Sequence, residues 1–264
     1  MDLELQGKNA LVTGSTAGIG FAIARRLARE GAHVWISGRT GARVEAAMAS
    51  LQKELPGAAL SGIPADVGTA EGVAAILAAV PDLDILVNNA AVFQPQPFAA
   101  IDDDAWRVTL DVNLMSGVRL SRHYLPRMLA AGAGRIVFIS SESGVQIPSE
   151  MIDYGVSKTA QIALARGLAE LTDGTGVTVN SVLPGPTRSE GAERFLGDLA
   201  RQSGATEAEV ERDFFKTARP TSLLRRFETI DEIANVVAFV VSPLASAING
   251  AAVRADGGVV RSIL

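Results

Sequence analysis

Short apolar runs rich in β-branched residues alternate along this chain with longer segments of helical periodicity. Seven runs are predicted as strands: Asn9–Thr13, His33–Ser37, Ala59–Pro64, Ile85–Val87, Arg135–Ser140, Val177–Val182 and Ala251–Arg254. The helical segments are Ile19–Glu30, Arg43–Leu55, Ala70–Val80, Asp103–Ala130, Tyr154–Thr172 and Asp231–Val241. Because apolar strands joined by helical crossovers form parallel sheets covered on both faces, the pattern predicts an α/β fold. We expect a single Rossmann-like, doubly wound parallel sheet of about seven strands.

Composition narrows the possible functions. The 264 residues show no break that would mark a second domain, so we expect one domain over residues 1–264. A polar, charged segment at 189–226 interrupts the alternation, and its length predicts a partly helical lid over the site. The net charge of −5 gives no basic field for nucleic acid or an anionic membrane. The absence of cysteine and the presence of only two histidines argue against a metal site.

The termini and the longest uncharged stretch bear on localisation. The acidic N-terminus enters a strand within a few residues, unlike a signal peptide. The stretch from Ile233 to Val253 contains Pro243 and Asn249, which favours a helix, loop and strand over a membrane span. We therefore expect a soluble, cytoplasmic protein with a small-molecule substrate.

A glycine-rich segment follows the first strand and opens the first helix. It reads Thr13-Gly14-Ser15-Thr16-Ala17-Gly18-Ile19-Gly20. Glycines there permit a tight turn and close approach to a phosphate, which the helix N-terminal amides can bind. A merely compact turn is the alternative interpretation.

The end of the second strand bears on which dinucleotide would bind. It lacks the Asp or Glu that usually holds a ribose 2′-hydroxyl. Arg39 stands there instead, and its guanidinium suits a 2′-phosphate, although a solvated surface charge is the alternative. The sequence favours NADP(H), with NAD(H) possible.

Two further strand ends carry candidate cofactor contacts. Asp66, followed by Val67, can accept a hydrogen bond from an adenine amine, or it can belong to a helix cap at Gly68-Thr69. Asn88, in Asn88-Asn89-Ala90, can bind the cofactor or tie adjacent strands together. Both alternatives stay open at each position.

The candidate reacting groups lie in the second half of the chain. Tyr154 and Lys158 are four residues apart on a predicted helix and therefore share one face. A nearby ammonium would lower the tyrosine pKa from about 10 towards neutrality and make a general acid/base. Ser141 follows strand five, where its hydroxyl can polarise a carbonyl or simply form a turn. Asn113 is an unfavourable helix residue, which a water-holding role, a helix-kinking role or surface exposure would explain.

Several other side chains lie in segments that can line a substrate pocket. They are Glu142, Gln146, Glu150, Met151, Phe93, Gln94, Phe195 and Phe214. Together they indicate a mixed polar and apolar site without naming a substrate.

Taken together, the motifs resemble a classical short-chain dehydrogenase/reductase over essentially the whole chain. The matching pieces are Thr13-Gly14-x3-Gly18-Ile19-Gly20, Asn88-Asn89-Ala90, Asn113, Ser141, Tyr154-x3-Lys158, Pro184-Gly185 and Ala255-Asp256-Gly257-Gly258. The resemblance implies hydride transfer between a secondary alcohol and a ketone. It implies that Tyr154 donates or accepts the proton, that Ser141 orients the substrate oxygen, and that Asn113 holds a water in a proton relay. It assigns Lys158 to the nicotinamide ribose.

The resemblance also implies further contacts and an assembly. The Pro184-Gly185 loop, Thr187 and the backbone of Ile19 would contact the cofactor. A homotetramer or homodimer would pack through the helices near 103–130 and 154–172. Ala91 and Ala17 depart from the family pattern at a glycine and at a basic residue, and Arg39 still favours NADP(H). An isomerase or dehydratase, a cofactor-binding sensor or scaffold without turnover, and an NAD-preferring dehydrogenase are the alternatives.

Overall fold

A computed structural model describes residues 1–263, apart from the side chains of residues 194, 195, 198 and 202. Within them, seven parallel strands form one sheet in the order β3-β2-β1-β4-β5-β6-β9. These strands are β1 Asn9–Val12, β2 His33–Gly38, β3 Leu60–Pro64, β4 Ile85–Asn88, β5 Ala133–Ile139, β6 Gly176–Pro184 and β9 Ala252–Ala255. A two-stranded parallel pair, β7 Thr187–Arg188 and β8 Glu228–Thr229, lies outside it. The predicted doubly wound α/β fold is confirmed.

Helices cover both faces of the sheet. They are α1 Gly18–Arg29, α2 Gly41–Glu54, α3 Ala70–Ala79, α4 Asp103–Leu110, α5 Ser116–Ala131, α6 Ile152–Ala169, α7 Glu190–Ser203, α8 Glu207–Thr217 and α9 Ile230–Val240. Strand side chains alternate between two cores: Ala10 and Val12 pack with α1, α2 and α9, whereas Leu11 packs with α3, α5 and α6. Burial on both faces explains why the strands are apolar throughout.

The strand order creates a crevice between β1 and β4. The chain moves outward from β1 through β2 to β3, and then returns to place β4 on the other side of β1. Open α/β sheets bind ligands at the carboxyl ends of strands beside such a reversal. The fold therefore directs the segments after β1, β4, β5 and β6 to one edge.

The structure refines three predicted segments. The predicted helix over 103–130 is divided by a π-helical turn at Asp111–Met115, which contains Asn113. Segment 189–226 forms α7, α8 and a connecting loop that share a small apolar cluster. The uncharged stretch divides into the end of α9, a turn at Pro243–Ala245 and β9, as predicted. No helix in residues 1–263 is long and apolar enough to cross a membrane.

Gly20 is the point at which the glycine-rich turn, β4 and α1 come closest. A Cβ at position 20 would lie 2.5 Å from the carbonyl oxygen of Gly14 and would overlap Asn89 Nδ2. We expect Gly20→Ala to lower the free energy of unfolding by about 1–3 kcal/mol because backbone must move, as urea titration would show. A Cβ at Gly41 meets nothing within 4 Å, so Gly41→Ala is the matched control and should be neutral or slightly stabilising. Equal stability of the two variants would contradict the close approach.

Candidate active site

A cavity of about 940 Å³ runs along the carboxyl ends of the main-sheet strands β1 to β6. It brings together residues from distant parts of the sequence, from the glycine-rich turn to the loop after β6. Predicted site residues that line it are Gly14, Thr16, Ile19, Gly20, Arg39, Asp66, Val67, Ala90, Ser141, Tyr154, Lys158, Pro184, Gly185 and Thr187.

One end of the cavity has the backbone geometry of an anion site. Gly14 has φ +63°, and a Cβ there would lie 3.0 Å from Ala90 Cα. Gly18 has φ +57°, and both angles favour glycine. The N-cap of α1, Ala17, provides no side-chain hydrogen bond, and the first turn holds no acidic residue. The free amides and the helix dipole therefore fit a nucleotide pyrophosphate.

Two arginines stand at the β2 side of this end. Arg39 directly follows β2 and is exposed on the cavity wall. Arg43, in the first turn of α2, also lines the cavity, and its guanidinium lies 3.5 Å from the Glu190 carboxylate. The sequence analysis missed Arg43, although its position just after Arg39 at a helix start was an available signal.

Four predicted site residues lie behind the wall rather than on it: Ser15, Gly18, Asn88 and Asn113. Ser15 Oγ donates to the Val12 carbonyl at 2.7 Å and accepts from the Ser37 amide at 2.9 Å, so it ties β1 to β2. Asn88 is buried, and its Nδ2 lies 3.5 Å from Ser121 Oγ on α5.

Asn89, rather than Asn88, joins the ends of β1 and β4. Its Nδ2 donates to the carbonyls of Thr13 at 2.8 Å and Gly14 at 3.2 Å. Thr13 Oγ1 in turn accepts from the amides of Asn89 and Ala90, each at 3.0 Å. These two sets of hydrogen bonds hold the ends of β1 and β4 together beneath the first turn of α1.

Tyr154, Lys158 and Ser141 meet at the other end of the cavity. Lys158 Nζ lies 5.4 Å from the centre of the Tyr154 ring, and the Ser141 hydroxyl is close enough to that of Tyr154 to lower its pKa. Lys158 Nζ also donates to the Ile139 carbonyl at 2.7 Å and to Gln161 Oε1 at 3.2 Å. The edge of Phe93 packs on Tyr154 with 5.8 Å between ring centres.

Burial controls the protonation of this pair. It raises the pKa of Tyr154 to about 12; the Ser141 hydrogen bond and Arg219 oppose the shift, whereas Glu142 adds to it. Burial lowers the pKa of Lys158 to about 7. The expectation that Lys158 brings the pKa of Tyr154 towards neutrality is wrong for the protein alone, because desolvation of the phenolate raises that pKa and Lys158 is not among the groups that lower it.

Asn113 lies in the π-helical turn and anchors the segment after β4. Its Oδ1 accepts from the Val92 amide at 2.7 Å, and its Nδ2 donates to the Val92 carbonyl and to Ser157 Oγ, each at 3.0 Å. Its own carbonyl accepts from Gln161 Nε2. Asn113 therefore acts behind the wall, with the helix distortion that the sequence suggested.

Gln161 was missed by the sequence analysis and connects Asn113 to Lys158. One amide group donates to the Asn113 carbonyl and accepts from Lys158 Nζ, and the side chain is almost fully buried. Its position three residues after Lys158 placed it on the same helical face, which was an available signal.

A buried ion pair lines the same cavity as Tyr154. Arg219 Nε donates to Glu142 Oε1 at 2.7 Å, and Arg219 Nη1 lies 3.4 Å from Glu150 Oε1. Ser143 Oγ donates to Glu142 Oε2 at 2.6 Å. Arg219 comes from segment 189–226, and no local pattern in the sequence signalled its pairing across the site.

Most residues suggested for the substrate pocket do line the cavity. Glu142, Glu150, Met151, Phe93 and Phe214 are on its wall, and Gln94 and Gln146 are not. The side chain of Phe195 lies outside the part of the chain that the structure describes. Residues 1–263, within that description, contain no cluster of three or more His, Asp or Glu that could hold a metal ion.

Glu228, a further residue that the sequence analysis missed, holds the loop after β6. Its Oε2 accepts from the Gly185 amide at 3.0 Å and from Thr187 Oγ1 at 3.5 Å. Burial raises the pKa of this carboxyl to about 7. The cavity-lining loop from Pro184 to Thr187 is therefore held in place by hydrogen bonds to a buried carboxyl.

The lowered pKa of Lys158 makes stability depend on pH. Between about 7 and its ordinary value of 10.5, the unfolded lysine binds a proton that the folded one has released. The free energy of unfolding should rise with pH in that range, by up to about 1.4 kcal/mol per pH unit. Lys158→Met removes the titrating group. Between about pH 7 and about pH 9, we expect the free energy of unfolding of the wild type to rise by about 2 kcal/mol more than that of this variant, as measured by urea titration. A constant difference would contradict a buried neutral lysine.

Comparison of the sequence with known proteins shows which family the chain resembles. A sequence model described as short chain dehydrogenase matches residues 8–198. The chain is 49% identical over 263 residues to the uncharacterized oxidoreductase YvaG of Bacillus subtilis (strain 168), with all of both chains covered. It is 36% identical to dehydrogenase/reductase SDR family member 4 of Bos taurus, over 96% of this chain and 88% of the relative.

Solved structures agree with the sequence relatives. L-sorbose reductase from Gluconobacter frateurii, complexed with NADPH and L-sorbose, superposes with a TM-score of 0.93 at 30% identity, with all of both chains covered. A single-residue variant of actinorhodin polyketide ketoreductase, with NADPH, gives 0.85 at 29% identity, over 96% of this chain and 97% of the other. The chain belongs to the short-chain dehydrogenase/reductase family of oxidoreductases.

Proposed function

We propose that this protein is an NADP(H)-dependent oxidoreductase that interconverts a secondary alcohol and a ketone. The observation that carries the proposal is the meeting of the Tyr154 and Ser141 hydroxyls with Lys158 in one cavity wall, at the opposite end from the uncapped helix α1. A proton donor and a nucleotide site then face the same space. Such a pairing is what hydride transfer to a carbonyl requires.

In this proposal Tyr154 exchanges the proton with the substrate oxygen. Its raised pKa keeps the phenol protonated at neutral pH, which suits proton donation during reduction. Ser141 hydrogen-bonds the same oxygen and orients it. The bound nicotinamide supplies or accepts the hydride, and Lys158 binds its ribose.

Lys158 can also return the proton to Tyr154. With a pKa near 7 it takes up and releases a proton at working pH. Gln161 and the Ile139 carbonyl fix the position of its amine, and Asn113 fixes Gln161. The role proposed for Asn113 is therefore to hold the relay in place through Gln161.

The preference for NADP(H) is supported by two arginines on the cavity wall. Arg39 and Arg43 supply two guanidinium groups beside the end of β2, where the 2′-phosphate of a bound nucleotide would lie. Asp66 and Val67 would contact the adenine. The L-sorbose reductase and the polyketide ketoreductase above were both solved with NADPH, which agrees with this preference.

Segment 189–226 is proposed as a lid over the substrate. Ala192, Phe214 and Arg219 from this segment line the cavity, and a small cluster of Leu196, Phe215 and Phe227 packs it as a unit. A homotetramer or homodimer in the cytoplasm, formed through α4, α5 and α6, remains part of the proposal.

Removal of the Tyr154 hydroxyl tests the reaction itself. We expect Tyr154→Phe to lower kcat by about 10²- to 10⁴-fold on any carbonyl compound that the wild type reduces, because the proton donor is lost. NADPH oxidation would be followed by absorbance, and calorimetry would show an unchanged dissociation constant for NADPH. Wild-type turnover by this variant would overturn the mechanism. NADPH binding by the wild type without turnover of a broad carbonyl panel would instead favour a sensor or scaffold.

Removal of the Arg39 guanidinium tests the cofactor preference. We expect Arg39→Ala to weaken the binding of NADPH at least about tenfold, because charged hydrogen bonds contribute about 1.5–3 kcal/mol. The affinity for NADH should stay unchanged. Thermal stabilisation at sub-saturating nucleotide would report both affinities. Arg261→Ala is the matched control, because Arg261 is exposed, lies outside the cavity wall and is not on a helix of the proposed subunit interface. Equal stabilisation of the wild type by the two cofactors would count against the Arg39 argument.

A further inference from the structure

The ion network of Glu142, Arg219 and Glu150 lines the same cavity as Tyr154. Glu142 directly follows Ser141, and Glu150 lies in the loop before α6. Arg219 reaches the same place from the loop after α8. Three charged side chains from three segments therefore line the cavity that also holds Tyr154, and two of them, Glu142 and Arg219, are near enough to act on its hydroxyl.

Burial makes this arrangement unusual. The side chains of Arg219 and Glu142 are only 8% and 4% exposed, whereas that of Glu150 is 48% exposed. Burying an ion pair removes two charges from water, and apolar residues of similar size often stabilise a fold as well or better. Fold stability alone gives a weak reason for such a pair in a cavity wall, so a role towards the ligand is the stronger interpretation.

Among the described residues, the hydrogen bonds within the network occupy two of the three guanidinium nitrogens of Arg219, and Nη2 is the one nitrogen left without a protein partner. Arg219 uses Nε for Glu142, and it uses Nη1 for the Ala218 carbonyl and Glu150. A carboxylate ligand is held best by both arms of a free guanidinium, and this guanidinium is already engaged by two carboxylates. Each glutamate oxygen, by contrast, has lone pairs that can accept a further hydrogen bond.

The net charge of the network points the same way. Two carboxylates and one guanidinium sum to −1 beside the reacting centre. An anionic group on the substrate would meet this excess charge at short range, where like charges repel. Hydroxyl groups meet no such barrier, and they can donate to the carboxylates.

Apolar side chains complete the wall. Phe93 lies against Tyr154, and Phe214 packs under the Arg219 guanidinium, with 5.8 Å from its ring centre to Arg219 Cζ. Met151 adds a third apolar side chain. A ligand with a C–H face and several hydroxyls matches such a mixture of aromatic surface and carboxylate acceptors.

We propose that the substrate is a neutral polyhydroxylated ketone, with the corresponding polyol as its reduced form, and that Glu142 and Glu150 accept hydrogen bonds from its hydroxyls. The proposal rests on the proposed function. In reduction, a hydride from NADPH adds to the carbonyl carbon and a proton from Tyr154 adds to the oxygen, which yields the polyol and NADP⁺. The same site disfavours substrates that carry a carboxylate.

Matched polyols and aldonates test this charge selectivity. Each aldonate differs from its polyol only by a carboxylate in place of a terminal hydroxymethyl group. The pairs are sorbitol and gluconate, mannitol and mannonate, xylitol and xylonate, and ribitol and ribonate, with 2-hexanol as the apolar comparison. With NADP⁺ and the wild type, we expect kcat/KM for at least one polyol to exceed that for its aldonate by about tenfold or more, a difference of about 1.4 kcal/mol.

Removal of one negative charge from the ion network should reduce the preference for polyols over aldonates. Glu150→Gln keeps the shape and removes the excess negative charge, so we expect the polyol-to-aldonate ratio to fall by about fivefold or more. Glu45→Gln is the matched control, because Glu45 is exposed on α2 and lies outside the cavity wall, and its ratio should equal that of the wild type. Because Glu150 is half exposed, the folding of this variant does not depend on the buried pair.

Each remaining outcome has a distinct meaning. Aldonates used as well as or better than their polyols, or a ratio unchanged by Glu150→Gln, would overturn the inference. Turnover of 2-hexanol but of no polyol would overturn it and leave the proposed oxidoreductase intact. Turnover of none of these alcohols, nor of any ketone in a broad panel with NADPH, would overturn the proposed function as well.

Discussion

The hydrogen bond from Lys158 Nζ to the Ile139 carbonyl is the interaction on which the reacting end depends. It fastens α6 to the end of β5, and the next two residues after that strand, Ser140 and Ser141, face the cavity. Through Gln161 the same amine is connected to the π-helical turn at Asn113. Three separate elements are thereby held at fixed distances around one buried nitrogen. Because all three share that nitrogen, displacement of any one of them would alter the position of Tyr154.

Burying Tyr154 and Lys158 together lowers the stability of the folded protein. Desolvation disfavours the charged forms of both Tyr154 and Lys158, so the pair lies in the protein as a neutral phenol and a partly neutral amine. The sheet has a hydrophobic core on each face, and these two cores supply the stability that permits this burial. A strained or desolvated site on a rigid scaffold is common where function requires it.

The sequence was sufficient for features that depend on local pattern. Strand and helix positions followed from periodicity, and most cavity residues followed from their place at strand ends, as with Gly14, Ser141 and Pro184. The sequence did not separate Asn88 from Asn89, because the two adjacent amides differ only in which one points to β1. It also gave no sign of Arg219 pairing with Glu142, which lies 77 residues away along the chain. Contacts of that kind depend on how segment 189–226 packs against the rest of the protein, and no local period encodes them.

The two glutamates of the ion network influence different properties of the site. Glu142 raises the pKa of Tyr154 and Arg219 lowers it, so the buried pair acts on the tyrosine with opposing effects. Glu150 is more exposed, is not among the groups that shift that pKa, and leaves the network with its excess negative charge. In the proposed reaction, substrate charge is selected at Glu150, whereas burial mainly sets the proton affinity of Tyr154 and the buried pair adjusts it. In the proposed reaction, a change at Glu150 would alter which alcohols are oxidised and leave the proton transfer intact, because Glu150 does not act on the pKa of Tyr154.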